Sequence, residues 1–314
     1  VPDEGALKPH LSWSQVQMFS MCGERYRRRY IQGEIIPPGI ACMVGRATHS
    51  GIEANLRAKL ATGSLLPTDA VSAAARDALN SAIDKDGVEL TEEEQGRGLS
   101  AVRGEAVDAA VALSILHHDV LAPQITPAHI ERPFRLLLGG FSHDLVGYLD
   151  LQETDGCVRD TKTAARSPSV GSADASEQLT CYALARKVLD GAIPPRLTLD
   201  VLVKTKTPKA IVQETMRTDA DFRPFLQRVA ITGRMLNAGL FPPATLGSWC
   251  CSPKWCGYWH TCPYAHGRVV SGPGPKTKQV FRTSELGLTL DVKASEDVTD
   301  LLAGMAHEDI PDIG

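Results

Sequence analysis

The chain has 314 residues, of which 43% are hydrophobic and 22% charged, and its formal net charge is −4. This length and apolar fraction fit one large globular domain or two small ones. The slightly acidic balance excludes a globally basic nucleic-acid binder. No signal peptide or membrane-spanning run is visible, although the sequence starts at Val1 rather than Met, so a cytoplasmic protein with no membrane partner is expected.

In chain order, residues 1–11 read as a loose lead and residues 12–32 as a helix. Pro37-Pro38-Gly39 interrupts the chain, and helical patterns follow over 44–60, 68–85 and 91–118. The last of these ends in His117-His118. Neighbours on a helix do not face one site, so a surface or core role is expected for this pair. Pro123 and Pro127 lead into a sheet, with strands over 130–138, 142–152 and 156–163. A helix over 172–189, strands over 197–204 and 210–217, and a helix over 219–238 complete the pattern. Basic residues are local: Arg25, Arg27, Arg28 and Arg29 early, then Lys204, Lys206 and Lys209. Each group either grips phosphates or forms a solvated face. Beyond Tyr264, Ser271-Gly272-Pro273-Gly274-Pro275 reads as a linker to a weakly structured tail, a candidate protein-partner segment.

The most informative stretch runs from Gly147-Tyr148-Leu149-Asp150 to Asp160-Thr161-Lys162. Two alternating runs flank a turn at Asp155-Gly156, which predicts a β-hairpin. A hairpin pivoting there sets Asp150 beside Asp160. Asp160 and Lys162, two apart on a strand, share a face. Two carboxylates and an ammonium would gather at one end of a sheet, with hard oxygen ligands that suit Mg²⁺ or Mn²⁺. Taken alone, the pattern also fits solvated strand ends. Its neighbours add weight: Gly45, His49 and Glu53 recur every fourth residue on an upstream helix, and Gln178 and Tyr182 lie one turn apart on a downstream one.

In this order, His49 in Gly-Arg-Ala-Thr-His, Asp150 in Gly-Tyr-Leu-Asp, Asp160-Thr161-Lys162 and Gln178-Leu-Thr-Cys-Tyr182 resemble the PD-(D/E)xK nuclease superfamily. More specifically, the pattern looks like that of RecB-type exonucleases, including CRISPR-associated and phage-encoded relatives. The resemblance spans roughly residues 12–264. It implies an α/β fold with a mixed central sheet flanked by helices. It also implies that Asp150, Asp160, the Thr161 carbonyl and His49 hold one or two Mg²⁺ or Mn²⁺. Lys162 would position water or stabilise charge, Gln178 and Tyr182 would orient substrate or Lys162, and Gly147 would let the backbone bend close to the metal.

Four of the eight cysteines crowd into residues 250–262, and Cys251-x4-Cys256-x5-Cys262 offers three metal ligands. The fourth must come from elsewhere. The resemblance supplies it as Cys22, around a [4Fe–4S] cluster that clips the chain's start to its end. A zinc site of four cysteines, or of three with His260, remains open on spacing alone, as does Cys250 in place of Cys251. Cys42, Cys157 and Cys181 read as small core residues.

The expected organisation is a helical region over 1–123 carrying Cys22 and His49, a nuclease core over 124–240, a cysteine segment over 241–266, and a linker and tail over 267–314. The expected activity is metal-dependent hydrolysis of DNA, exonucleolytic on single strands or ends. The alternatives are a non-cleaving DNA-binding or assembly subunit and a zinc-stabilised regulatory protein.

Overall fold

The computed structural model describes residues 9–266, so most of the lead and the whole tail lie outside the described residues. The chain divides into two units, 1–261 and 262–314. In the second, the described residues hold one short helix, α9 (Pro263–His266).

Ser12 opens α1 (Trp13–Met21). Its hydroxyl accepts from the Gln15 backbone while the Gln15 side chain accepts from the Ser12 N–H, a reciprocal cap. The helix expected over 12–32 is broken at Cys22, which is extended. The Cys22 sulfur accepts from the Arg25 N–H (3.4 Å) and so caps α2 (Gly23–Tyr26), which runs on as a wider turn over Arg27–Ile31. After the proline break come α3 (Ile40–Thr62) and α4 (Thr68–Asp86). The helix expected over 91–118 is two, α5 (Glu92–Arg97) and α6 (Leu99–Leu116), parted by Gly98 at φ 82°, a conformation only glycine takes cheaply.

The strands are β1 (His10–Ser12), β2 (Pro127–Leu136), β3 (Asp144–Glu153), β4 (Val158–Ala164), β5 (Leu197–Val203) and β6 (Lys209–Thr215), with order β1-β3-β4-β5-β6 and β2 beside β3. The sheet is mixed: β1 with β3 and β4 with β5 are parallel, the other pairs antiparallel. The remaining helices are α7 (Glu177–Asp190) and α8 (Asp219–Asn237). One apolar cluster packs α1, α7 and α8 on the sheet, including Leu197, Leu199, Val201 and Val203 of β5. A second packs α3, α4 and α6 on its other face, where Leu202 points.

The pairing of β3 creates an opening. β2 occupies one edge of β3. On the other edge β1 covers Asp144–Val146, and β4 meets only Leu151 and Gln152, opposite Arg159 and Val158. On that second edge, between these contacts, residues 147–150 have no strand partner. Beyond Arg159, β4 leaves β3 and pairs with β5 along its whole length.

Two further features fix the opening's walls. A Cβ on Gly45 would lie 3.1 Å from Thr163 Oγ1, so its absence lets α3 approach β4 closely. Behind β4, Arg159 bridges two buried carboxylates, with Nε donating to Glu153 Oε1 at 2.6 Å and Nη1 to Asp200 at 3.1 Å. The space a Cβ on Gly147 would take is filled by the Phe134 ring, 2.6 Å away, so this glycine makes room for core packing.

Candidate active site

The opening between β3 and β4 collects side chains from both faces of the sheet. From α7, Gln178 Nε2 donates to Tyr182 Oη (2.7 Å), and Tyr182 Oη donates to Asp150 Oδ1 (2.6 Å). The two residues can form this relay because they are four apart on one helix. On β4, Lys162 Nζ donates to Asp160 Oδ1 (2.7 Å). The pairing of Leu151 with Arg159 brings Asp150 abreast of Asp160, and their carboxylates stand within hydrogen-bonding reach. From the other face, α3 presents His49, one turn beyond Gly45, in hydrogen-bonding contact with the Thr161 backbone.

Asp160 is fully buried, and its Oδ2 has no partner. Two carboxylates in mutual reach share no proton unless one takes it up. Burial, with the neighbouring Asp150 charge, raises the proton affinity of Asp160, and Lys162 opposes that rise. Burial and the two aspartates also push the Tyr182 phenol well up, so it stays a donor. Burial lowers the His49 pKa, against the pull of Asp150, and keeps the imidazole neutral with a nitrogen lone pair to offer.

The structure adds one carboxylate that sequence reasoning missed. Glu131 sits on β2 opposite Asp150, between the pairs Ile130–Leu151 and Arg132–Leu149. At φ 49° it is the one non-glycine among the described residues in the left-handed region. Burial first, then Asp150 and Glu53, raise its pKa to about 7. Nothing in the sequence singles it out, since β2 also carries His129, Arg132 and Arg135. Glu53, one turn beyond His49 on α3, is ion-paired with Arg57 at 2.7 Å.

The group therefore concentrates carboxylates against few cations. A carboxylate oxygen with no hydrogen-bond donor, beside a second carboxylate, a backbone carbonyl and a neutral imidazole, is a ligand set that suits Mg²⁺ or Mn²⁺. Among the described residues, no three His, Cys, Asp or Glu side chains already stand as a metal cage. Here the Lys162 ammonium occupies one oxygen of Asp160.

Within the first unit, residues 241–261 lie against the start of the chain. Cys250 Sγ contacts the Met21 carbonyl (3.8 Å), the Gly23 N–H donates to the Pro242 carbonyl (2.7 Å), and Tyr258 Oη donates to the Glu34 carbonyl beneath the Arg28 guanidinium. Cys250 is buried with its sulfur beside Ser248 Oγ, whereas Cys251 is more open. Thiols of this kind fit iron–sulfur or zinc chemistry equally. Cys157 and Cys181 are buried as expected, but Cys42 is exposed near the start of α3 and is not a core residue. His117 is buried with neither ring nitrogen bonded, while His118 contacts the Leu66 carbonyl and Asp119.

Residues 10–263 match the PD-(D/E)XK nuclease superfamily. The chain belongs to that superfamily. The split between β3 and β4 has an acidic residue on each strand, Asp150 and Asp160, with Lys162 two beyond the second. Among solved structures, a "Putative exonuclease" from Eubacterium rectale is similar in fold. It shares 14% identity with a TM-score of 0.52, over 85% of this chain and 91% of that one. The crystal structure of SSO0001 aligns at 13% identity and a TM-score of 0.34, over 80% of this chain and 95% of that one. No curated protein matches the chain. Among the described residues no helix is long and apolar enough to cross a membrane.

Proposed function

We propose that this superfamily member is a metal-dependent DNA nuclease that acts as an exonuclease on single strands or DNA ends. The observation that carries the reading is Asp160: buried, facing Asp150, bonded to Lys162 through one oxygen and to nothing through the other. Asp150, Asp160, the Thr161 carbonyl and His49 would hold Mg²⁺ or Mn²⁺. When bound, the ion supplies positive charge at a phosphate oxygen and makes an attacking water more acidic. The chain's own groups do the rest. Tyr182, held by Gln178, fixes one oxygen of Asp150. His49 stays neutral because it is buried. Lys162 carries the one ammonium beside the two aspartates and so meets negative charge that builds on the reacting phosphate.

In this reading the region 1–123 supplies His49, residues 124–240 form the nuclease core, and residues 241–266 form the clasp. The tail over 267–314 is a candidate partner-binding segment outside the described residues. We further propose that Cys22, Cys251, Cys256 and Cys262 hold a [4Fe–4S] cluster. The likeness to iron–sulfur RecB-type nucleases supports this, as does the contact of Cys250 with the residue preceding Cys22. A cytoplasmic location follows from the same reading.

The test is incubation of anaerobically purified protein with end-labelled single- and double-stranded DNA, in Mn²⁺ or in EDTA. Shortening of labelled strands in Mn²⁺ and none in EDTA is expected. Intact DNA in both, at enzyme excess, would refute the nuclease reading. Iron analysis of the same sample should find about four irons per chain for the cluster. Stoichiometric zinc would overturn the iron assignment.

A further inference from the structure

Of the two basic groups in the sequence, one is partly ion-paired within the protein, and the other, among the described residues, is not. In the arginine run, Arg27 bonds Glu24 and Arg28 bonds Glu34, while Arg29 lies over Tyr30. The lysines of the β5–β6 turn differ. Lys204, Lys206 and Lys209 are exposed, and among the described residues none of them has a carboxylate partner. Arg166, exposed on the loop after β4, is in the same condition.

Their place in the fold matters more than their number. β4 and β5 are parallel, so both end on the same side of the sheet, with Ala164 beside Val203 and Val203 beside Lys209. The Lys204 N–H donates to the Ala164 carbonyl at 2.8 Å, which ties the lysine turn directly to the end of the catalytic strand. The loop carrying Arg166 is pinned to β6 on its other side. Gln213 Nε2 donates to the Ser169 carbonyl (2.8 Å), and the Ala173 N–H donates to Gln213 Oε1 (3.1 Å). Four unneutralised cations thus stand on two anchored segments at the end of β4, the strand that carries Asp160 and Lys162. At about 3.3 Å per residue, the strand end lies roughly 13 Å beyond Asp160.

We propose that Arg166, Lys204, Lys206 and Lys209 form a phosphate track for the substrate DNA strand, running from the catalytic cleft along the end of β4 to the β5–β6 turn. This rests on the nuclease reading above and extends it. The charges pair with no protein carboxylate, so bound DNA gains them without first breaking an ion pair. They read phosphates rather than bases, so binding is indifferent to sequence. From the strand rise, the track meets the DNA backbone roughly two to four nucleotides from the scissile phosphate.

The test is equilibrium binding of a fluorescent 20-nucleotide single strand in EDTA, so that no cleavage intervenes, measured from 50 to 200 mM salt. The variants are wild type and the triple Lys204→Ala/Lys206→Ala/Lys209→Ala, which changes only exposed side chains in the β5–β6 turn and at the start of β6. Each phosphate contact on a single strand contributes about 0.7 to the slope of log K against log salt. The triple variant should therefore lose about 2 from that slope, and its affinity at 100 mM salt should fall tenfold or more. In Mn²⁺ its KM for the 20-mer should rise correspondingly, with the effect fading as the substrate is shortened to a few nucleotides. An unchanged slope and affinity would overturn the track. The two readings fail separately. A wild type that binds with the lysine-dependent slope but leaves DNA uncut in Mn²⁺ overturns the nuclease reading alone. A wild type that cuts, alongside a triple variant that binds equally well, overturns the track alone.

Discussion

Replacing Asp160 with Asn keeps the side chain's size and removes its charge, and the structure predicts opposite effects on stability and activity. Above its raised pKa, where Asp160 is ionised in the metal-free protein, it buries a carboxylate whose Oδ2 has no donor and which faces Asp150. A buried acceptor left unsatisfied costs about 1–3 kcal/mol. The amide of Asn supplies an N–H to Asp150 and relieves that cost. The ion pair with Lys162 is lost, but the Lys162 side chain is 44% exposed, and a pair screened to that degree contributes at most about 1 kcal/mol. The net expectation for Asp160→Asn in EDTA is a gain of about 1–2 kcal/mol, or a Tm higher by about 2–8 °C for a chain of this size. Added Mg²⁺ should reverse the order. At a hundred times its Kd the ion stabilises wild type by about 2.7 kcal/mol, whereas the variant, short of one anionic ligand, should hardly respond. Thermal unfolding with and without Mg²⁺, together with a cleavage assay, reads all of this. A variant that melts below wild type in EDTA, keeps the Mg²⁺ shift or still cuts DNA would refute the reasoning.

Arg159→Leu should cost about 3–5 kcal/mol in urea unfolding, because it strands Glu153 and Asp200 as buried, unpaired carboxylates; a loss below 1 kcal/mol would contradict the buried network. His117 gives a pH signature. Burial lowers its pKa from 6.5 to about 3, so the folded state keeps it neutral while the unfolded chain binds a proton below pH 6.5. Its contribution is intact above pH 6.5 and is lost as pH falls toward 3, reaching about 2 kcal/mol of lost stability at pH 5. Asp160 and Asp200 have raised pKa values and act with the opposite sign, so the readout is the difference between wild type and His117→Leu at pH 7.5 and pH 5. The gap should narrow or invert at the lower pH, and a pH-independent gap would count against a buried neutral imidazole. Cys22→Ser should lose the brown colour and iron of anaerobically purified protein and melt lower. Serine is itself a good N-cap for α2, so such a loss would be due to the missing thiolate and not the cap; a coloured variant with unchanged melting would remove Cys22 from the ligand set.

The parts of the site legible in the sequence are those set by local rules. A turn at Asp155-Gly156 fixes which residues of two strands lie abreast, and Gly156 does adopt φ 86° there. Helical spacing puts Gln178 and Tyr182 on one face, where they are bonded. The parts that were hidden depend on tertiary pairing. β1 is three residues long and exists because β3 offers an edge beyond the reach of β4, which no pattern within His10–Ser12 announces. Glu131 joins the site through a left-handed backbone in the middle of a strand, where alternation predicts nothing unusual. Arg159 and Asp200 look like ordinary charged strand residues until β4 and β5 pair and bury both. The packing reason for Gly147 was hidden in the same way: the space a Cβ would take there is filled by the Phe134 ring, a contact between β3 and β2.

The central claim is that the Asp150, Asp160 and Lys162 constellation hydrolyses phosphodiester bonds. The most direct measurement is the single-turnover cleavage rate of 5′-labelled single-stranded DNA in Mn²⁺ for wild type and Lys162→Ala, with both shown to melt alike. Wild type should shorten the strand, and Lys162→Ala, having lost the one ammonium beside both aspartates, should be slower by a factor of about 100 or more. Equal rates for the two proteins would contradict the account.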